Sequence, residues 1–246
     1  MIIGFKMQPA AAAQYQDGKC KVLLMRRNLD SLTLHCLAWP KMSPVPSTLV
    51  YRHPRFFFQD GNVIFMVEGT LFKVHKFFFQ RDSPIFNSMF TLPPPNNDGP
   101  EGEVEDNPIL LEGFKATDFE RFLSILYPLN FLNCDLTTAD EWTSVLAISS
   151  MWDFASLRLL AIDKLSHITA AVDRIVLGKR FDLPHWVTPA YFELCTRGEP
   201  LNQDEGEKLG MADVIKIGQI RHQIRYVTNL NRHEDTIVTL VKEMFS

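Results

Sequence analysis

Several features that mark other protein classes are missing from this 246-residue sequence. The four cysteines form no Cys-x-x-Cys pair, which argues against a zinc site with neighbouring ligands and against a disulfide framework. There is no Asn-x-Ser/Thr glycosylation acceptor, no leading apolar run of signal-peptide length, and no stretch of about 18 apolar residues that could span a membrane. The sequence therefore predicts a soluble intracellular protein, cytoplasmic or nuclear, with no membrane partner.

The net charge is only −4, but the charge is unevenly distributed. Eight basic and two acidic side chains precede residue 56, so the first 55 residues carry +6 and the remainder carries −10. A basic leader on an acidic body could be a nucleic-acid-binding arm. The interpretation we prefer is a solvated irregular tail, because prolines at 40, 44 and 46 add a linker-like composition. Residues 1–53 are thus predicted to be a disordered leader, and nucleic acid is not an expected partner.

Motifs of catalysis are also missing. No Gly-x-Ser-x-Gly elbow occurs, Gly178-Lys179 is not preceded by the glycine of a phosphate-binding loop, and His233-Glu234 lacks the second histidine of a zincin helix. His75 is predicted to be a structural histidine at a junction between a strand and a helix. We therefore expect no enzyme, no cofactor, no metal and no small-molecule substrate, and we assign no catalytic, cofactor-binding or metal-ligating residue.

What the sequence does contain is a short series of strand and helix patterns. Residues 63–67 are a continuous apolar run between Asp60-Gly61-Asn62 and Glu68-Gly69, which predicts a buried strand, and residues 70–75 complete a hairpin. Ser83-Pro84 predicts a capped helix start. An acidic, proline-rich stretch at 91–107 predicts a mobile loop, and residues 109–111 predict a third strand.

The remainder of the chain is predicted to be helical. Thr117-x-x-Glu120 and Thr138-x-x-Glu141 have the spacing of capping boxes, and Thr188-Pro189 looks like another capped start. Gly210 separates two helical segments, and the last helix is expected at residues 235–245. The predicted fold class is α+β, with a three-stranded sheet packed on a helical cluster, followed by an all-helical C-terminal extension.

The order of these elements resembles the BTB/POZ domain family. The resemblance is carried by residues 62–69, by Phe72-Lys73-Val74-His75-Lys76, by Ser83-Pro84-Ile85-Phe86 with Met89-Phe90, and by residues 119–127. It covers about 54–167, leaves 168–246 as the helical extension, and is similar in style to a large, poorly characterised group of fungal BTB proteins. It implies a non-catalytic protein–protein interaction module whose partner is another protein or the chain itself, as a homo-oligomer or an adaptor scaffold. The alternatives are a transcription-associated co-regulator and a substrate adaptor of cullin-type ubiquitin ligases.

Two positions in the resemblance bear on how partners would bind. Family members that act in transcription usually carry an aspartate where Asn62 stands and an arginine where Lys76 stands, and the two form a charged pocket at the dimer interface. Asn62 and Lys76 are therefore candidate interaction residues, although an amide lacks the charge and a lysine lacks the planar fork of arginine. Cullin-binding members often show a hydrophobic-x-Glu motif where this chain has Thr91-Leu92-Pro93-Pro94-Pro95.

Two runs of three phenylalanines complete the set of candidates. Neighbouring residues of a helix point about 100° apart, so three consecutive aromatic side chains in a helix cannot all face inward. At least one ring of each run is predicted to face solvent or a second protein, and interfaces are enriched in such rings. The alternative is that the later helices fold back and cover them. The predicted interaction residues are Phe56, Phe57, Phe58, Phe77, Phe78 and Phe79.

Overall fold

The computed structural model describes residues 13–16, 19–22, 50–92, 100–130, 132, 134–227 and 232–245. Most of the predicted leader (1–53) and part of the predicted acidic loop (93–99) therefore lie outside the described residues. Within the leader, β1 (Ala13–Gln16) and β2 (Lys19–Val22) pair as an antiparallel hairpin. The chain divides into two compact units, with the boundary between Leu159 and Leu160.

The first unit contains a four-stranded sheet in the order β3-β5-β4-β6, formed by β3 (Tyr51–Phe57), β4 (Val63–Val67), β5 (Thr70–Val74) and β6 (Ile109–Leu110). The predicted hairpin is confirmed, because β4 and β5 are antiparallel with Phe65 opposite Phe72. Glu68 and Gly69 at its tip have φ of 47° and 77°. Two positive φ values match the turn twist that two-residue hairpins favour.

The strand that sequence reasoning missed is β3, which pairs in parallel with β5 at the edge of the sheet. Proline and charged residues weaken the strand pattern there, but an edge strand tolerates Pro54 because the outer side of its backbone need not pair. His53 and Phe56 are both buried although they are three positions apart, because the register of the pairing with β5 shifts between Arg52 and Phe57. The first phenylalanine run therefore begins at the end of a strand and does not lie in a helix, the geometry that we considered.

Five helices accompany the sheet: α1 (Lys76–Asp82), α2 (Pro84–Thr91), α3 (Ala116–Leu126), α4 (Ala139–Met151) and α5 (Ala155–Ile168), the last of which crosses into the second unit. Their core contains a cluster of aromatic rings from strands and helices alike that are completely or almost completely buried: Phe56, Phe65, Phe72, Phe79, Phe86, Phe119, Phe122, Trp152 and Phe154. A ring of this size stabilises the fold by roughly 2–3 kcal/mol through removal from water.

Of the three helix caps predicted in the first unit, two are confirmed and one is wrong. Ser83 caps α2 as expected, accepting a hydrogen bond from the Phe86 amide, while its own hydroxyl donates to the Trp152 carbonyl at 2.5 Å. The Thr138 capping box is also confirmed. The Thr117 capping box is wrong, because α3 already begins at Ala116 and the backbone N–H of Ala116 donates to the Glu68 carboxylate instead.

The second unit is helical and comprises α6 (Ala171–Arg180), α7 (Pro184–Thr196), α8 (Gln203–Leu209), α9 (Met211–Tyr226) and α10 (Glu234–Phe245). The predicted break at Gly210 is confirmed by its φ of 83° between α8 and α9. The predicted start at Thr188-Pro189 is wrong, because α7 begins at Pro184 and Pro189 lies within its first turns. Among the described residues, no helix combines the length and apolarity that crossing a bilayer requires.

The fold class is confirmed as α+β with a helical C-terminal part. The sheet is one strand larger than expected, through β3. The described end of the acidic stretch lies against the sheet, because the Ile64 amide donates to the Gly102 carbonyl at 2.7 Å. Gly102 has a φ of 82°, a conformation that favours glycine, and an added Cβ would lie only 2.8 Å from the Ile109 Cδ1.

Candidate functional site

The structure separates the predicted interaction residues into buried and accessible groups. Phe56 and Phe79 are both 0% exposed and belong to the core, so they cannot contact a partner. Phe57, Phe58 and Phe78 are partly exposed, whereas Phe77 is 61% exposed. In each run one ring is fully buried, and in the second run Phe77 is mostly exposed.

Five accessible rings beside α1 and the arginine that packs on two of them form one surface, which we call the aromatic surface: Phe58, His75, Phe77, Phe78, Tyr127 and Arg81. The rings of Phe77 and Phe78 lie 5.7 Å apart, and Phe78 meets Tyr127 at 5.2 Å in an edge-to-face arrangement. The Arg81 guanidinium lies 5.3 Å from each of the two phenylalanine centroids. These spacings are typical of aromatic and cation–π contacts, which hold the rings in one arrangement.

Tyr127 fixes the centre of this surface. Its hydroxyl accepts a hydrogen bond from the His75 amide at 3.0 Å and lies 3.1 Å from Nδ1 of the same residue. Its ring contacts Phe58 at 4.9 Å. Burial raises the pKa of the Tyr127 phenol above its ordinary value, so the hydroxyl stays protonated at neutral pH. His75 thus joins β5, α1 and the end of α3, in keeping with the structural role expected of it.

Asn62 and Lys76 are brought together, but through the backbone. The Asn62 Oδ1 accepts a hydrogen bond from the Lys76 backbone N–H at 2.7 Å and so satisfies the first amide of α1. The Lys76 ammonium lies 3.4 Å from the Glu103 carboxylate and 5.4 Å from the Phe90 ring centroid. Asn62 therefore acts as a helix cap here, and Lys76 contacts the acidic stretch.

Phe57 lies in different surroundings from the aromatic surface. Arg52 covers its ring at 4.9 Å and at the same time makes a two-pronged ion pair with Glu105, at 2.8 and 3.0 Å. Arg52 thereby links the edge strand to the acidic stretch. The pair is exposed, so its contribution to stability is about 0–1 kcal/mol.

His53 is a buried titratable residue that sequence reasoning passed over. Its ring stacks between Phe56 at 5.2 Å and Phe72 at 4.7 Å, and its Nδ1 accepts from the amides of Arg55 and Phe56. Burial is the main cause that lowers its pKa, although Glu120 at 3.6 Å opposes the shift. No local motif marks this residue, because the rings that enclose it come from two strands.

The second unit has its own polar cluster. Asp213 is 8% exposed and accepts hydrogen bonds from the Tyr191 hydroxyl at 2.6 Å and the Lys179 ammonium at 2.5 Å. Burial and the neighbouring carboxylate raise the pKa of Tyr191. Nearby Cys195 is buried, which raises its pKa to about 11 and keeps the thiol protonated. The cluster ties α6, α7 and α9 together and presents no activated nucleophile.

The comparisons with known proteins agree with the first unit of the structure. The family model of the BTB/POZ domain matches residues 57–169, just under half of the chain. The match runs from the end of β3 through α5, and the fold is that of a BTB domain with a small sheet and many helices, followed by a helical part. A search of the curated proteins found no match, so the resemblance to fungal BTB proteins stays a prediction. BTB/POZ domains are generally protein–protein interaction modules and often dimerise.

Proposed function

We propose that this chain is a non-catalytic intracellular interaction protein that binds a protein partner through the aromatic surface, as a self-associating module or as an adaptor scaffold. The observation that carries the proposal is Phe77, an aromatic side chain that is 61% exposed on a helix whose next ring, Phe78, is partly exposed and whose third ring, Phe79, is buried. Burial of such a ring in an interface contributes about 1.5–3 kcal/mol. The expected interaction domain is residues 54–167, and 168–246 is its helical extension.

The contacts among the side chains of the aromatic surface support this role. Phe77 is held by Phe78 and Arg81, and Tyr127 is fixed by two contacts with His75. A partner would therefore meet rings already in place, and little side-chain entropy would be lost on binding. Tyrosine, phenylalanine and arginine are also the residue types that interfaces enrich. Of the residues first predicted, Phe77 and Phe78 remain at the centre of the proposed contact, and Phe58, Asn62 and Lys76 lie at its border. Phe57 lies outside it, and the buried Phe56 and Phe79 are withdrawn.

The direct test compares two substitutions that place a carboxylate on exposed apolar positions. Phe77→Glu alters the aromatic surface, whereas Leu159→Glu alters a side chain of similar exposure (66%) on α5. Full-length wild-type and variant chains would be examined by light scattering and used as bait in affinity capture with mass spectrometry. We expect Phe77→Glu to lose at least tenfold in affinity for the partner or for itself, because a buried unpaired charge costs more than 1.4 kcal/mol.

The outcomes separate the possible roles. Equal binding by wild type and Phe77→Glu would remove the aromatic surface from the proposal. A strictly monomeric wild type with a captured partner would leave the adaptor role and eliminate self-association. Recovery of a cullin would favour the ubiquitin-ligase adaptor, and a salt-dependent shift of DNA would favour the co-regulator.

A further inference from the structure

The buried imidazole of His53 holds the backbone of its own strand, β3. The amides of Arg55 and Phe56 both donate to its Nδ1, at 3.2 and 3.1 Å. Because a backbone amide can only donate, Nδ1 must be the ring nitrogen without a hydrogen. The neutral ring therefore carries its hydrogen on Nε2, which lies 3.6 Å from the Glu120 carboxylate.

A second proton can bind this ring at one position only. Since Nε2 already carries a hydrogen, protonation converts Nδ1 from an acceptor into a donor. Nδ1 would then face two backbone N–H groups at hydrogen-bond distance, and both amides would lose their acceptor inside the protein. The charged ring is therefore incompatible with the observed conformation of β3.

The two amides lie where the pairing of β3 with β5 is irregular. Tyr51 and Arg52 pair in one register and Phe57 in another, so the register shifts between Arg52 and Phe57. In this gap His53 supplies the acceptor that a neighbouring strand normally provides. β3 is also an edge strand of the sheet that the described residues form, and it pairs with β5 alone. It can therefore separate without breaking a pair among β4, β5 and β6.

The surroundings of His53 oppose its protonation in the closed strand. Burial is the main cause that lowers its pKa below the ordinary value of 6.5. Two charged side chains modify this effect: Glu120 of α3 favours the charged ring, and Arg55 of β3 opposes it. The faces of the ring contact Phe56 and, from β5, Phe72, neither of which is charged. Once β3 separates, the ring reaches water and regains its ordinary pKa, so acid favours the separated strand.

Separation of β3 would also remove contacts from the aromatic surface. Arg55 donates to the Tyr127 carbonyl at 2.8 Å and to the Asp135 carboxylate at 2.7 Å. Phe58, which directly follows β3, contacts the Tyr127 ring at 4.9 Å and the His75 ring at 5.4 Å. Tyr127 is thus held from this side by β3 and by the residue after it, and it loses both contacts when the strand leaves.

We propose that His53 is a pH-sensitive switch: its protonation releases β3 while β4, β5 and β6 stay paired, and the release weakens binding at the aromatic surface. The effect on binding rests on the proposed function, whereas the release of the strand does not. Each tenfold preference for the closed strand lowers the pH of half-release by about one unit from 6.5. Below that pH, the dissociation constant of a partner that requires the closed strand rises about tenfold per unit.

Hydrogen exchange of the full-length chain between pH 7.5 and pH 5, corrected for the intrinsic pH dependence of exchange, tests the release. In the wild type, the open population of residues 51–58 should rise about tenfold per unit below pH 6.5, while β4 stays more protected at each pH. His53→Asn offers an uncharged Oδ1 near the position of Nδ1 and should keep the strand closed throughout. His53→Ala removes the acceptor and should open the strand at both pH values.

His167→Gln is the matched control, because it removes an exposed histidine that lies 3.7 Å from the Asp163 carboxylate. This variant should respond to acid as the wild type does. Affinity is measured over the same pH range for the protein that Phe77→Glu fails to capture, or for the chain itself where it self-associates. Affinity should fall below the pH of release in the wild type and not in His53→Asn. His75 is present in both chains, so any effect of its own protonation is common to them.

The two measurements separate the switch from the proposed function. Exchange of residues 51–58 that ignores acid, that responds equally in His53→Asn, or that only matches the exchange of β4 would overturn the switch. Release of the strand with unchanged affinity would overturn its link to the aromatic surface. Absence of any partner that depends on Phe77 would remove the proposed function, while exchange would still decide whether His53 releases β3.

Discussion

The two units of this chain are stabilised in different ways. The core of the first contains a cluster of aromatic rings packed among aliphatic side chains, and Phe119 alone has ring neighbours in Phe65, Phe72, Phe79, Phe122 and Trp152. The core of the second is mainly aliphatic and encloses ionic groups: Asp213 is paired with Lys179, and Arg221 donates to the Leu194 carbonyl at 2.7 Å. We therefore expect the first unit to depend on packing and the second on a few polar contacts.

The largest effect is expected from Phe119→Ala. Removal of a ring that is 0% exposed leaves a cavity among its aromatic neighbours, which should cost about 3–5 kcal/mol. Hydrogen exchange followed by mass spectrometry would report the loss as faster exchange in β4, β5 and α3.

Phe77→Ala is the matched control for this prediction, because it removes the same side chain from an exposed position. Its free energy of unfolding should change by no more than about 0.5 kcal/mol. Equal destabilisation by the two variants would mean that the aromatic core does not dominate the stability of the first unit.

Asp213→Ala should have the next largest effect, and it should appear in the second unit. The substitution leaves the buried Tyr191 hydroxyl without its acceptor, which should cost about 2 kcal/mol. Exchange in α6, α7 and α9 would accelerate. Adding Tyr191→Phe to the same chain should recover part of the loss, because the stranded hydroxyl is then absent.

Asp173→Ala provides the comparison for that variant. Asp173 pairs with Lys208 at 2.8 Å on the surface, where side-chain exposures are 39% and 54%. Its removal should cost about 0.5 kcal/mol. A surface pair that mattered as much as Asp213 would contradict the importance of the buried cluster.

A structural element could be predicted from the sequence when the residues that determine it lie close together along the chain. The hairpin, the Ser83 and Thr138 caps and the Gly210 break are set by residues within a few positions of one another, and all were predicted correctly. β3 was missed because its partner, β5, lies many residues later and its pattern is interrupted by Pro54. The Thr117 cap failed because Glu68, distant in the sequence, supplies the acceptor.

The candidate site likewise depends on both local and long-range interactions, and only the local ones could be predicted. Helical geometry required one exposed ring among residues 77–79, but it could not say which one. The packing of Phe79 against Phe65, Phe86 and Phe154 decides that Phe77 faces solvent. Tyr127, Arg81 and His53 escaped notice because their contacts join separate elements, and a single sequence carries no local sign of such contacts.

The two units should also differ in their response to acid. Burial lowers the pKa of His53 in the folded protein below its ordinary value of 6.5. The unfolded chain then binds a proton before the folded chain does, so the first unit should lose stability as the pH falls below about 6.5. His53→Gln should flatten this part of the profile, measured by hydrogen exchange in β3 and β5. A wild-type profile that is level from pH 7 to about 5 would contradict the neutral, buried imidazole.

The second unit should lose stability at a lower pH than the first unit, and the loss should be smaller. Two hydrogen bonds from Arg197, at 2.5 and 2.8 Å, are the main cause that lowers the pKa of Glu205 to about 2, and the Asn202 amide adds to the effect. This stabilisation is complete above the ordinary pKa of 4.5 and is lost as the pH falls toward 2. The pair is close to the surface, so the loss should be about 1 kcal/mol or less. Glu205→Gln should remove this pH-dependent stabilisation. Hydrogen exchange in α8 should therefore be faster at pH 3 than at pH 5 in the wild type, and the variant should lack this additional difference. Because the first unit begins to weaken near the pKa of a histidine and the second near that of a carboxylate, exchange at intermediate pH should accelerate in the sheet while α8 remains protected.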